Sequence, residues 1–330
     1  MATRSVVRDE DQFCVYRSVQ SEGTRVLWEL TSACNLKCDF CLVEIKGHHL
    51  ATDEALAIVD QLVEAGVDKV LLSGGEPLLH PGAEAVIRRL VGADVLVKLL
   101  TNGTVDHPAV YDLIRSSPAI EVSVSVPTAD HAEADRIFRR PGSLARIAAT
   151  IASLPKDRLN VICAVSSLNV AAVESVIDWV AAAGVPCLSL TDIFKDPASP
   201  ARFRDDCRDL RIGTAEARDL MALVAAKRDE FHGRLAIRTT QFVAQPGEVC
   251  MAGRTVFYLD PAGVVWPCTV TDNRVWRDAI AGLSVREAIG YYWATLGDAG
   301  AGDGRDAPPS SCAARLAIGD VLLPAPRRPA

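Results

Sequence analysis

The chain has 330 residues and a mass of 35.3 kDa, with 49% hydrophobic, 23% charged and 5% aromatic residues, a net charge of −7 and a pI near 5.5. That length predicts one large domain with at most a small appendage, and the apolar share excludes a disordered chain. The acidic balance speaks against a nucleic-acid binder, which needs clustered Lys and Arg. There is no apolar run of about 18 residues to cross a membrane and no secretory signal in the first residues, so a cytoplasmic location without membrane contact is expected. Ten cysteines in such a chain point to metal or catalytic use where they cluster. Cys14, Cys163, Cys187 and Cys207 stand alone and read as small buried hydrophobes.

From Arg25 to about Leu190, apolar runs alternate with amphipathic stretches. The runs Val26–Leu30, Lys69–Leu72, Val95–Leu100, Ile120–Val126, Asn160–Val165 and Pro186–Leu190 are predicted strands. After the first, Thr52 is expected to cap a helix in which Leu56, Val59 and Val63 share a face, with Gly66 at its C-terminal end. Before the last, Val170, Val173, Ile177 and Val180 form a similar stripe closed by Gly184. Repeated strand–helix alternation implies βαβ crossovers and a parallel sheet. Six strands suit a partial (β/α)6 barrel or an open doubly wound sheet, with ligands at the C-terminal strand ends in either case. The loops to read therefore begin at Thr31, Ser73, Thr101, Pro127, Ser166 and Thr191. Residues 192–212 read as a solvated loop, and a helix follows over Thr214–Lys227. A hairpin is expected from Thr255–Tyr258 and Val264–Trp266 around Gly263, then a helix near Val285–Leu296 and a Gly/Ala/Pro-rich tail.

The loop after the first strand carries Cys34, Cys38 and Cys41, spaced by three residues and then two. Three thiolates on one tight loop can hold three irons of a [4Fe–4S] cube and leave the fourth open. Zinc competes, because His48 or His49 could complete a Cys3His set. Ser73-Gly74-Gly75-Glu76-Pro77 follows strand two and Thr101-Asn102-Gly103 follows strand three. On strand four, Glu121, Ser123 and Ser125 share one face, with Val122, Val124 and Val126 on the other.

Taken in order, these motifs resemble the radical S-adenosylmethionine (radical SAM) superfamily, whose signature is CxxxCxφC with an aromatic before the third cysteine, here Phe40. The resemblance covers roughly residues 25–190. It implies a barrel of the radical SAM type over residues 25–232 after an N-terminal segment, 1–24. It also implies that Cys34, Cys38 and Cys41 ligate a SAM-binding [4Fe–4S] cluster, and that Phe40, Gly74, Gly75, Glu76, Asn102, Ser123 and Ser125 contact the cofactor. Strand four departs from the family's SxD pattern, reading Ser125-Val126-Pro127. The implied chemistry is reductive cleavage of S-adenosylmethionine to a 5′-deoxyadenosyl radical that abstracts hydrogen from substrate, with an external donor of flavodoxin or ferredoxin type.

Cys250, Cys268 after the expected hairpin, and Cys312 resemble the C-terminal SPASM/Twitch extension of the same superfamily, implying an auxiliary iron–sulfur cluster within residues 233–330. Arg315 stands where a second cysteine of the final pair belongs. Cys187, on strand six beside Ser189 and Thr191, is a candidate hydrogen donor for an epimerisation, and Asp192 and Lys195 lie where a substrate-binding or proton-accepting group would sit. Only 33 residues precede Cys34, which tilts the expectation toward oxidation, dehydrogenation or epimerisation of a small polar substrate (a sugar, aminocyclitol or nucleoside) in natural-product biosynthesis. The alternatives are a maturase of a ribosomally made peptide and, in another class, a non-catalytic zinc or iron–sulfur protein.

Overall fold

The structure is a computed structural model that describes residues 17–18, 23–41, 47–193, 210–240, 249–250, 252–268 and 274–296. Among these residues, an open sheet of nine strands forms the centre. Strands β2 (Thr24–Thr31), β3 (Val67–Gly74), β4 (Leu96–Thr101), β5 (Ile120–Ser125), β6 (Leu159–Val165) and β7 (Cys187–Asp192) lie side by side in chain order, all parallel. These are the six strands expected from the apolar runs. Crossovers run through α1 (Thr52–Glu64), α2 (Ala83–Gly92), α3 (Pro108–Ser116), α4 (His131–Phe138), α5 (Ser143–Ser153) and α6 (Val173–Ala182).

One face of each strand is sealed against these helices. Val26, Trp28, Val70, Leu72, Val97, Leu99, Val122, Val124, Val161, Leu188 and Leu190 are buried there, because a sheet covered by crossover helices must be apolar on that side. The opposite face carries Glu29, Lys69, Lys98, Glu121, Ser123, Ser125, Asn160, Cys187, Ser189 and Thr191, in register across the strands. It is the interior of the partial barrel.

Both edges of the sheet are built by residues beyond the expected barrel boundary at 232. Helix α7 (Thr214–Glu230) leads into β8 (Ala236–Thr240), which pairs parallel with β7. At the other edge β10 (Val256–Leu259) pairs parallel with β2 and antiparallel with β11 (Val265–Trp266). The expected hairpin is present, but it is an extension of the barrel sheet. Asp260 fixes its turn by accepting from the Ala262 and Val264 N–H groups and from Trp266 Nε1. After α8 (Arg274–Ile280), α9 (Val285–Leu296) docks on the hairpin and on α1, where Val285 N–H donates to Gln61 Oε1 at 2.8 Å and Tyr292 OH donates to the Val265 carbonyl.

At the start of α1, Ala51 and not Thr52 holds the N-cap; Thr52 is the first helical residue, and Glu54 closes the turn by accepting from Ala51 N–H at 2.8 Å. Gly66 and Gly184 take φ of +71° and +69°, the left-handed conformation that ends a helix.

Candidate active site

The cysteine loop leaves β2 at Thr31 and is stitched to the turn after β3. Gly75 N–H donates to the Thr31 carbonyl at 2.7 Å and Glu76 N–H to the Ala33 carbonyl at 2.8 Å. This approach requires glycine twice. A Cβ on Gly74, whose φ is +132°, would stand 2.1 Å from the Thr31 oxygen, and one on Gly75 would stand 2.2 Å from the Ala33 oxygen.

Glu76 is fully buried, and its carboxylate ties the turns after β3 and β4 together. It accepts from Leu78 N–H at 3.2 Å, Thr101 Oγ1 at 2.8 Å and Asn102 N–H at 2.7 Å. Burial pushes its carboxyl up to about 7 from 4.5, and these three donors pull it back. Asn102 in turn holds the cysteine loop. Its Nδ2 donates to Asn35 Oδ1 at 2.9 Å and lies 3.9 Å from Cys34 Sγ, while its Oδ1 accepts from Thr104 N–H and Oγ1. Gly103 completes the turn at φ +70°, with its carbonyl accepting from Thr150 Oγ1. In this geometry the side chains of Glu76 and Asn102 tie the turns after β3 and β4 to the cysteine loop, with the Gly74–Gly75 backbone packed directly against that loop.

The far side of the loop rests on the C-terminal end of α4, a support that the sequence reading missed. Lys37 and Asp39 N–H donate to the Phe138 and Ile137 carbonyls, Arg139 pairs with Asp39, and Arg140 donates to the Asn35 carbonyl at 3.1 Å. The half-buried Phe40 ring lies 6.4 Å from that of Phe138. A helix end contacting a loop a hundred residues earlier leaves no local signal; the one trace is Arg139 at φ +52°, an uncommon left-handed non-glycine residue.

Cys34, Cys38 and Cys41 are all half-buried. Burial raises the thiols of Cys34 and Cys38; Glu76 and then Cys41 add to this at Cys34, and Cys41 and Cys34 add to it at Cys38. Crowding three would-be thiolates is unfavourable until a cation compensates them, so this donor set fits an iron–sulfur cluster. It fits a closed zinc site poorly. Among the described residues no three His, Cys, Asp or Glu side chains converge on a single ion. His48 lends its backbone to Thr31 and Ser32, and the exposed His49 ring packs 5.2 Å from that of His80. A cube needs no such convergence, since each thiol meets a different corner.

Within the barrel, Ser123 accepts from Asn160 Nδ2 at 3.1 Å, and Asn160 Oδ1 accepts from Ser189 Oγ at 2.9 Å. Ser123 is thereby occupied in a buried ladder, whereas Ser125 is half-buried, nearer the cysteine loop. Cys187 is the first residue of β7, at the end away from that loop, and burial raises its thiol. Asp192 ends β7 at the loop side, but its side chain lies outside the described residues, as does Lys195. Cys268 is buried just after β11. Cys250 is described by its backbone alone, in β9 (Val249–Cys250), paired antiparallel with β1 (Arg17–Ser18). Cys312 lies outside the described residues. No helix among them is long and apolar enough to cross a membrane.

A partial parallel barrel with three thiols on the first loop, braced by a Gly-Gly-Glu turn, defines a cluster-binding α/β enzyme scaffold. The Radical SAM superfamily model matches residues 28–195, and the chain belongs to that superfamily, whose cofactors are a [4Fe–4S] cluster and S-adenosylmethionine. The chain is 27% identical over 288 residues to the mycofactocin maturase MftC of Mycobacterium ulcerans, covering 79% of this chain and 76% of that protein. It is 24% identical over 267 residues to the PqqA peptide cyclase of Granulibacter bethesdensis, covering 75% and 68%. Other relatives, named for haem, molybdenum-cofactor and deazaguanine synthesis, reach 34% identity over at most 40% of this chain, which spans no more than 47% of their length. Among solved structures, Streptococcus suis SuiB bound to its precursor peptide SuiA superposes with a TM-score of 0.62 at 14% identity, covering 75% of this chain and 60% of that one.

Proposed function

We propose that this chain is a radical SAM maturase of a peptide. The observation that carries this reading is the extent of its likeness: the maturase MftC and the PqqA peptide cyclase align over 79% and 75% of the chain, whereas the relatives named for haem, molybdenum-cofactor and deazaguanine synthesis align over 40% of it or less. The small polar substrate expected from the short stretch before Cys34 has no comparable support. SuiB, solved with its precursor peptide SuiA bound, adds a matching fold.

In this reading Cys34, Cys38 and Cys41 hold the [4Fe–4S] cluster. The Gly74–Gly75 backbone and Ser125 line the place of S-adenosylmethionine, and Phe40 packs the loop against α4. Together the two cofactors supply a 5′-deoxyadenosyl radical for hydrogen abstraction from substrate. The protein's part is to fix the cysteine loop through Glu76, Asn102 and Arg140, and to seal the barrel wall on its helix side so that substrate meets the radical from the polar face alone. Within residues 233–330, Cys250 and Cys268, with Cys312 as third ligand, would hold an auxiliary iron–sulfur cluster, which would supply electron-transfer capacity suited to a net two-electron oxidation.

The test is 5′-deoxyadenosine formation by the anaerobically reconstituted enzyme, given S-adenosylmethionine, dithionite and a low-mass peptide fraction from the host. Stimulation that protease pre-treatment of the fraction abolishes supports the peptide reading. Protease-resistant stimulation returns the small polar substrate.

A further inference from the structure

The interior face of the barrel carries a charged recess that the reading above does not use. Lys98 on β4 stands in register with Glu121 on β5, and Lys69 on β3 donates to Glu121 Oε2 at 2.9 Å. Arg238, on β8 opposite Ser189, adds a third cation. Lys98, Arg238 and Glu121 interact electrostatically with one another and with the Cys187 thiol, which places all four around one space. Glu29 shares the face, two strands from Lys98. Glu121 is committed to Lys69, and Arg238 Nε is buried without a hydrogen-bond partner among the described residues. A buried guanidinium nitrogen left unpaired is destabilising, and such a group persists where something else completes it. Lys69, Lys98, Glu121 and Arg238 all keep partial solvent exposure, so the recess is open to a ligand.

We infer that Arg238, with Lys98 and Lys69, binds a carboxylate of the substrate inside the barrel. A guanidinium presents a planar fork suited to a carboxylate, and the two ammonium groups add charge without fixed geometry. Lys98 lies three residues before Thr101 at the end of β4, so the carboxylate sits about 10 Å deeper than the loop ends, at ~3.3 Å per strand residue. That separation suits a peptide whose acidic group lies one or two residues from the carbon that reacts, whether the group is the chain terminus or an Asp or Glu side chain. The inference rests on the barrel interior being the substrate cavity of the proposed enzyme.

The experiment is calorimetric titration of the reconstituted enzyme with three probes: N-acetyl-Gly-Gly with a free terminal carboxylate, N-acetyl-Glu-Gly amide, and the neutral N-acetyl-Gly-Gly amide. The expected result is binding of one or both charged probes and none of the neutral one, with the tighter charged probe identifying the source of the carboxylate. Arg238→Gln should weaken that binding at least tenfold. Glu121→Gln, which releases Lys69, should tighten it several-fold, an effect of opposite sign that no loss of folding can imitate. Equal binding of the neutral probe, or affinity unchanged in both variants, overturns the inference. Substrate-independent 5′-deoxyadenosine formation, measured in parallel, separates the two readings: its absence in the wild type counts against the proposed enzyme, and its presence with indifferent probe binding counts against the recess alone.

Discussion

Replacing Gly75 with Ala probes how tightly the Gly-Gly-Glu turn grips the cysteine loop. The added Cβ would lie 2.2 Å from the Ala33 oxygen, 2.6 Å from its carbonyl carbon and 3.0 Å from Cys34 Cβ, whereas ordinary contact begins at 3.4 Å, so turn and loop must separate by about 1.2 Å. That movement breaks the Gly75–Thr31 and Glu76–Ala33 backbone bonds, at about 0.5–1.5 kcal/mol each. Residual overpacking adds about 1–3 kcal/mol, for a loss of roughly 2–6 kcal/mol. A displacement of about 1 Å at a catalytic centre can cost about a hundredfold in rate. Denaturant titration, iron content after reconstitution and 5′-deoxyadenosine formation would measure these effects together. Gly92→Ala is the control. It sits at the end of α2 with nothing within 4 Å of its Cβ position and no positive φ, so it should be neutral or stabilising by about 0.4–1 kcal/mol. A Gly75→Ala variant as stable and active as Gly92→Ala would refute the close approach.

Asn102→Ala removes the link to Asn35 and the contact with Cys34; it should lower stability by about 1–2 kcal/mol and slow iron incorporation, and reconstitution kinetics equal to the wild type would contradict that role. Arg139→Gly relieves a left-handed non-glycine residue, worth up to about 1 kcal/mol, while losing an exposed pair with Asp39 worth about 0–1 kcal/mol. The two nearly cancel, so a melting temperature lowered by more than a few degrees would show that the Asp39 contact carries more than a surface pair. Burial holds the Glu76 carboxyl near 7 against an ordinary 4.5, so the folded protein keeps this proton to higher pH than the unfolded chain. Glu76 therefore adds stability below pH 4.5 that is lost as pH rises through 7. Denaturation between pH 4.5 and 7.5 should give a shallower fall for Glu76→Gln, and identical slopes would remove the burial argument.

Much of the barrel was legible because its signals are local. The period-two alternation of Glu121–Val126 gave both faces of β5, and the helix stripes ending at Gly66 and Gly184 gave the C-terminal ends of α1 and α6. The cap of α1 was read one residue late, since a threonine suits an N-cap better than the alanine found there. The placement of β8 and β10 was not legible. Their pairing with β7 and β2 joins segments far apart in sequence, and a short apolar strand does not reveal its partner. At the site, the cysteine loop and the Gly-Gly-Glu turn were legible through their resemblance to superfamily motifs, while the brace from Phe138 and Arg140 was not. Likewise, only the folded geometry reveals the hydrogen bonds by which Glu76 and Asn102 join the turns around the cysteine loop.

The central claim is that the first-loop thiols hold the cluster that activates S-adenosylmethionine. Its most direct test is anaerobic reconstitution of the wild type and of a Cys34→Ala/Cys38→Ala/Cys41→Ala variant, followed by iron counting and detection of 5′-deoxyadenosine after adding S-adenosylmethionine and dithionite. The account predicts about four fewer irons per chain in the variant and 5′-deoxyadenosine from the wild type alone. Equal iron in both, or 5′-deoxyadenosine from the variant at the wild-type rate, would contradict it.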